Sequence, residues 1–172
     1  WAPFCFIEND RTVGIPTEAK SKLHFKPGMT HVMGPTMEDW NFKHILPTLV
    51  SRTTAFIKQE VASSRPFLVY LSLTSPHTPI AVNEQWVGKS GLNPYADFVM
   101  ETDAAVGRVL EALEECGVAD ETLVIFTSDN GMAQYVGAKE LEENGHFPSA
   151  NLRGYKSDAW EGGHRVPFIA RW

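Results

Sequence analysis

The ten residues Thr122-Leu-Val-Ile-Phe-Thr-Ser-Asp-Asn-Gly131 decide the fold class of this chain. Residues 122–127 are apolar or β-favouring without alternation, the pattern of a strand covered on both faces. Asn130-Gly131 by itself reads as a tight turn, because both residues accept positive φ. The two readings conflict if the strand lies in a parallel sheet, where strands are joined by crossovers rather than two-residue hairpins. What precedes the stretch decides between them.

Upstream, Phe67-Leu-Val-Tyr-Leu-Ser-Leu73 is a second nearly continuous apolar run, followed by the loop Thr74-Ser-Pro-His-Thr-Pro79. Asn93-Pro94 then makes a good N-cap and first-turn pair, and Tyr95, Phe98, Val99, Thr102, Val106, Val109, Leu110 and Leu113 recur at helical spacing. Gly117 supplies the stop. Strand, loop, helix, strand is the order of a βαβ unit, so the expectation is an α/β fold with a mixed, mainly parallel sheet flanked by helices. A further helix is predicted from Pro47, with Leu49, Val50, Thr53, Phe56, Ile57 and Val61 at helical spacing and an end before Pro66.

Phe4 to Val13 reads as a short strand, a polar turn at Glu8-Asn-Asp10 and a return strand, whereas residues 14–45 lack periodicity and read as a surface excursion near a functional site. We expect residues 1–172 to be part of one domain, with a variable excursion over 1–46 and a core over 47–172. The chain opens on Trp1 and closes just after the apolar run Val166-Pro-Phe-Ile-Ala170, which suggests truncation at both ends.

In open α/β sheets ligands sit beyond the carboxyl ends of the strands. Asp129 and Asn130 lie at one such end and His77 lies four residues past the other, so the βαβ geometry brings two polar loops to one edge. A carboxylate and an amide oxygen are the hard donors that calcium or magnesium prefers. An Asx-turn satisfying its own backbone is the competing reading. His77 stands between two prolines that restrict its direction, as suits a residue that holds an anion or protonates a leaving group; an ordinary surface histidine is the alternative. A third candidate is Asn151-Leu-Arg-Gly-Tyr-Lys-Ser-Asp-Ala-Trp-Glu-Gly-Gly-His-Arg-Val-Pro167. There Lys156 could neutralise an anion, Gly162 and Gly163 would permit close backbone approach, and Arg165 could pair with Glu161 or Asp158. A solvated charged loop is the plainer alternative.

Fifteen Lys and Arg against twenty-one Asp and Glu leave a net charge of −6 with no long basic run, so nucleic acid is not an expected partner. No apolar segment reaches the roughly 18 residues of a membrane span. Cys5 and Cys116 are far apart and lack the spacing of a zinc site or a disulfide framework.

Taken together, "PFLVYLSLTSPHTPI", "LVIFTSDNG" and "LRGYKSDAWEGGHRVPFIARW" resemble the sulfatase family of the alkaline-phosphatase superfamily, in order and approximate spacing. The resemblance covers roughly residues 47–172. It implies that Asp129 and Asn130 are ligands of an active-site calcium and that Lys156 contacts the substrate sulfate. His77 would lie beside the sulfate and the leaving oxygen, as a hydrogen-bond donor or general acid. Asp158 and Arg165 match positions of structural support. The implied reaction is hydrolysis of a sulfate ester on a small molecule or glycan, in a secreted, periplasmic or lysosomal setting.

The family's nucleophile, a formylglycine made from Cys or Ser in Cys/Ser-x-Pro-x-Arg, has no counterpart in these residues: Ser64-Arg-Pro-Phe-Leu68 fails at its fifth position. The family's early Asp-Asp ligands and Gly-Lys-x-His segment are also missing. All are expected upstream of residue 1, which would leave this stretch inactive alone. Substrate choice is expected to reside in residues 14–45, in residues 133–150 and in parts not present. A phosphonate or phosphodiester hydrolase of the same superfamily, or a non-catalytic homologue that binds calcium or a sulfated glycan, remain the alternatives.

Overall fold

The computed structural model describes residues 2–17 and 34–172. The chain divides into two units, one ending at Phe42 and the other starting at Lys43. In the first unit the expected hairpin is present: β1 (Ile7–Glu8) pairs antiparallel with β2 (Arg11–Thr12). Asn9 adopts a φ of 57° between them, a left-handed conformation that its short polar side chain tolerates. The rings of Phe4, Phe6, Trp40 and Phe42 contact one another beside it, Phe4 meeting Phe42 edge-on at 5.1 Å. Residues 18–33, the middle of the stretch to which substrate choice is assigned, lie outside the described residues.

The second unit is built on two helices. α1 (Ile45–Ala62) holds Pro47 in its first turn, where a missing N–H costs no helical bond, and buries Leu46, Val50, Thr53 and Ile57 at helical spacing. α2 (Pro94–Glu115) starts as expected, with the Asn93 side chain accepting from Ala96 N at 3.0 Å. Leu46 and Val50 pack with Val82, Phe98 and Ala105, while Ile57 packs with Leu113 and Ala119. Each fully buried aliphatic side chain contributes about 1.5–3 kcal/mol relative to exposure.

Both helices end in the same way. Gly117, at a φ of 68°, lets Gly117 N and Val118 N reach back to Glu114 O and Leu113 O. In α1 it is Ser64, at a φ of 54°, that takes the equivalent place, with Ser64 N and Arg65 N bonded to Val61 O and Glu60 O.

The sheet departs from expectation. β3 (Val124–Thr127) forms where predicted, but it pairs antiparallel with β4 (Phe168–Arg171), Ile125 opposite Ala170 and Phe126 opposite Ile169. Residues 67–73 have no ladder partner, so the expected parallel pairing with β3 is not formed among the described residues. Nor is either segment covered on both faces. Phe67 and Leu73 pack on the helices, whereas Leu68 and Tyr70 are 87% and 88% exposed and Ile125 is 52% exposed. The physical reason is that α1 and α2 supply one apolar layer, and side chains alternate across an extended chain, so every second residue faces away from it. The described architecture is therefore a mixed helix and strand arrangement.

Two acids of α2 tie down the loop that follows residues 74–79. Asp97 is 4% exposed and accepts from Gly88 N at 2.7 Å, Ser90 N at 2.8 Å and Ser90 Oγ at 2.7 Å. One turn on, Glu101 accepts from Asn83 N and Asn83 Nδ2. Burial works to raise the Asp97 carboxyl, but the bonds from Ser90 and Gly88 outweigh it and hold the group below its ordinary value of 3.8. A depressed folded-state value stabilises the fold at pH above 3.8, and this contribution is lost as pH falls through the folded value. Asp97→Ala leaves two part-buried N–H groups and the Ser90 hydroxyl without their carboxylate acceptor and is expected to cost about 3 kcal/mol in chemical denaturation at pH 7. The difference from wild type should shrink in melts taken below pH 3.8; a constant difference would refute the assignment.

Candidate active site

β3 delivers Asp129 and Asn130 to the end of the strand. Among the described residues neither Asn130 nor Gly131 has a positive φ, which excludes the tight-hairpin reading of that pair. Gly131 serves a different purpose: a Cβ there would lie 1.9 Å from Gly162 O. The backbone passes this close because Gly131 N donates to Gly163 O at 2.9 Å, and one residue on Met132 O accepts from Lys156 N at 2.8 Å. Two main-chain bonds thus seat the Asp129-Asn130 corner directly against the loop that carries Lys156.

The side chains carried on these two bonded segments are uncommitted among the described residues. Asp129 is exposed and makes no hydrogen bond or ion pair with the described residues. Asn130 turns its Nδ2 to Gly131 O at 3.0 Å, which leaves Oδ1 without a hydrogen bond. Lys156 is half-buried, and its ammonium makes no hydrogen bond or ion pair with the described residues. An ammonium left without a counter-ion among the described residues can receive an anion at that spot.

The turn that presents Lys156 is well determined. Asp158 N donates to Tyr155 O at 2.9 Å, and Ser157 has a φ of 76°, so Lys156 is the first central residue of a type II turn. Asp158 closes the turn by accepting from Tyr155 N at 2.9 Å. Below it, the Tyr155 hydroxyl donates to Glu142 of α3 (Ala138–Glu143), a bond that raises the pKa of the phenol above its ordinary value. The Tyr155 ring packs with Met132, Ala138 and Leu141. Arg165 pairs with Glu161, so of its two expected partners only one is used. Gly162 and Gly163, buried in the short helix α4 (Glu161–His164), do admit a close approach, to the chain itself: Gly162 to Gly154 O and Gly163 to Asp158 O.

His77 is exposed, and its contacts do not join it to the other three residues. Its Nδ1 lies 2.7 Å from Thr78 O, a carbonyl that can only accept, so Nδ1 carries a proton and Nε2 is the free ring atom. Nε2 therefore donates only when the ring is cationic. Nearby, Ser75 Oγ is buried without a hydrogen-bond partner.

Among the described residues no three His, Cys, Asp or Glu side chains gather to hold a metal ion. Asp129 and Asn130 nonetheless fit part of a hard-cation site, since both present an uncommitted oxygen at one corner.

The family model for sulfatases matches residues 20–172. The chain belongs to the sulfatase family. Among curated sulfatases it is similar to the rat steryl-sulfatase, 37% identical over 155 residues that make up 87% of this chain and 26% of the relative. The N-acetylgalactosamine-6-O-sulfatase of Bacteroides thetaiotaomicron is 32% identical, over 77% of this chain and 26% of the relative. This chain thus spans about a quarter of the length of those curated sulfatases. A Bacteroides thetaiotaomicron protein solved in work on the metabolism of multiple glycosaminoglycans superposes with a TM-score of 0.80 at 26% identity, covering 99% of this chain and 42% of that one. Ps i-CgsB, crystallised with k-i-k-neocarrahexaose, gives a TM-score of 0.64 at 31% identity, over 74% of this chain and 28% of that one.

Sequence reasoning missed the parts that join the sulfatase motifs. Residues 133–150 read as a loop, yet they contain α3, whose signal was the run of strong helix formers Ala138-Lys-Glu-Leu-Glu-Glu143. The pairing of Gly131 with Gly162 and Gly163 spans more than thirty positions and has no local signal.

Proposed function

We propose that the full-length protein hydrolyses sulfate esters, releasing inorganic sulfate and an alcohol or phenol. The observation that carries this reading is the Lys156 ammonium, unpaired among the described residues, on a loop bonded to the Asp129-Asn130 corner. A sulfuryl group in transfer spreads negative charge over its oxygens and over the entering and leaving atoms, and needs positive charge from more than one direction. Lys156 supplies it from one side.

Asp129 through its carboxylate and Asn130 through Oδ1 would hold a divalent cation, calcium by the hardness of these donors, together with further oxygen ligands. Such a cation supplies Lewis-acid charge at the sulfate oxygens. Lys156 would orient the ester and balance the negative charge on its sulfate oxygens, and His77, as the cationic ring, would give its Nε2 proton to the departing oxygen. The family's formylglycine nucleophile has no precursor motif in these 172 residues and would be contributed by another part of the polypeptide. The relatives named as steryl- and N-acetylgalactosamine-6-sulfatases support a sulfated small molecule or glycan as substrate.

The test is turnover by the full-length protein on paired sulfate and phosphate esters of one phenol, with calcium present. A kcat/KM that favours the sulfate is expected. A preference for the phosphate would move the reading to a phosphoester hydrolase, and calcium binding without any turnover would move it to a binding protein.

A further inference from the structure

We infer that Gly131, Gly162 and Gly163 are positioning residues of this site: a backbone clasp that sets the separation between the Asp129-Asn130 corner and Lys156. The inference rests on the reading above, that these side chains serve one anion, and adds what holds them in register. Each glycine is required by a different neighbour. A Cβ on Gly131 would meet Gly162 O at 1.9 Å, one on Gly162 would meet Gly154 O at 2.1 Å, and one on Gly163 would meet Asp158 O at 2.5 Å and Tyr155 O at 2.6 Å. The obstructing atoms are all main-chain oxygens, which cannot swing aside as a side chain would. None of the three glycines has a positive φ, so conformational freedom does not explain them; close approach does.

The clasp reaches both halves of the site. Gly131 directly follows Asn130 and donates to Gly163 O, while Gly163 lies against Tyr155 and Asp158, the two ends of the turn that presents Lys156. Gly162 N donates to Arg153 O at 2.8 Å, which holds the start of the same loop. Opening the clasp therefore moves Lys156 away from Asp129 and Asn130 without touching any of their side chains. Relieving 1.9 Å to at least the 3.0 Å that real Cβ atoms keep requires a displacement of more than an ångström at Gly131. A misplacement of about 1 Å costs on the order of 100-fold in rate. At Gly163 the contact is 2.5 Å and the opposing turn is exposed at Ser157 and Asp158, so a smaller shift suffices and Gly163→Ala should be recovered folded.

A double-mutant cycle in the full-length protein tests this, with kcat/KM on an aryl sulfate and calcium affinity by calorimetry as the two readouts. In the wild-type background Gly131→Ala is expected to lower kcat/KM about 100-fold and Gly163→Ala about 10-fold. At saturating calcium in a Lys156→Ala background each should add less than about 3-fold, because the group they set against the bound metal is already gone. Gly131→Ala should also weaken calcium binding, a property that Lys156→Ala leaves within about 2-fold. Glycine effects that multiply fully with Lys156→Ala, or a folded Gly163→Ala with wild-type kcat/KM, would overturn the clasp. If instead Lys156→Ala alone is fully active, it is the functional reading that fails.

Discussion

Lys156→Ala in the full-length protein is expected to lower kcat/KM on a sulfate ester by about 10²–10³-fold, the cost of removing one preorganised charge from a site where negative charge is held and redistributed. The loss should appear in both terms. Lys156 meets the sulfate in the ground state, which raises KM when it is lost, and balances the charge of the group in transfer, which lowers kcat. Lys156→Arg should recover only part of the activity. The ammonium sits on the first central position of a type II turn fixed by Asp158 and Tyr155, and a longer planar guanidinium cannot occupy the same point. Stability should change little, because the ammonium makes no hydrogen bond or ion pair that folding depends on. Unchanged kcat/KM in the alanine variant, with the protein folded, removes Lys156 from the site.

Asp129→Asn is expected to weaken calcium binding at least about 100-fold, more than loss of an outer-shell partner of a metal ligand costs. The substitution keeps shape and one oxygen but removes the charge that a hard divalent cation selects. In the absence of calcium the variant should melt within about 0.5 kcal/mol of wild type, since the Asp129 carboxylate is exposed and bonded to nothing among the described residues. In excess calcium the wild type should gain stability by mass action and the variant should not. That pairing of an unaltered apo melt with a lost calcium response separates a ligand from a merely structural carboxylate. A variant that binds calcium as tightly as wild type would exclude Asp129 as a ligand.

The helices were the most legible part of the chain because their signals are local. Pro47 and the spacing of Val50, Thr53 and Ile57 lie within four turns, and the Asn93 cap and the Gly117 stop are each a single residue read in place. Asp97 and Glu101 escaped because a charged residue on a helix reads as a solvated face; only the loop folded back over α2 makes them buried acceptors. The parallel pairing expected of residues 67–73 with β3 is not formed among the described residues, for a related reason. An apolar run such as residues 67–73 shows what a segment tolerates, whereas coverage and strand direction depend on neighbours distant in sequence. Here the neighbour of β3 is β4, which arrives antiparallel.

The candidate site divides along the same line. Sequence alone determined the identities of Asp129, Asn130, His77 and Lys156 and the apolar runs that precede them, since chemistry and local propensity are carried by the residues themselves. It also marked Asn130-Gly131 as special, but for a turn that the chain does not make. Tertiary structure alone decided that Gly131 exists for Gly162, that Lys156 is bonded through Met132 to the Asp129-Asn130 corner, and that the Asp129 and Lys156 side chains have no partner among the described residues. Contact between main-chain atoms more than twenty residues apart has no local signature, because any sequence with a glycine at each end can make it and only the fold brings the two together.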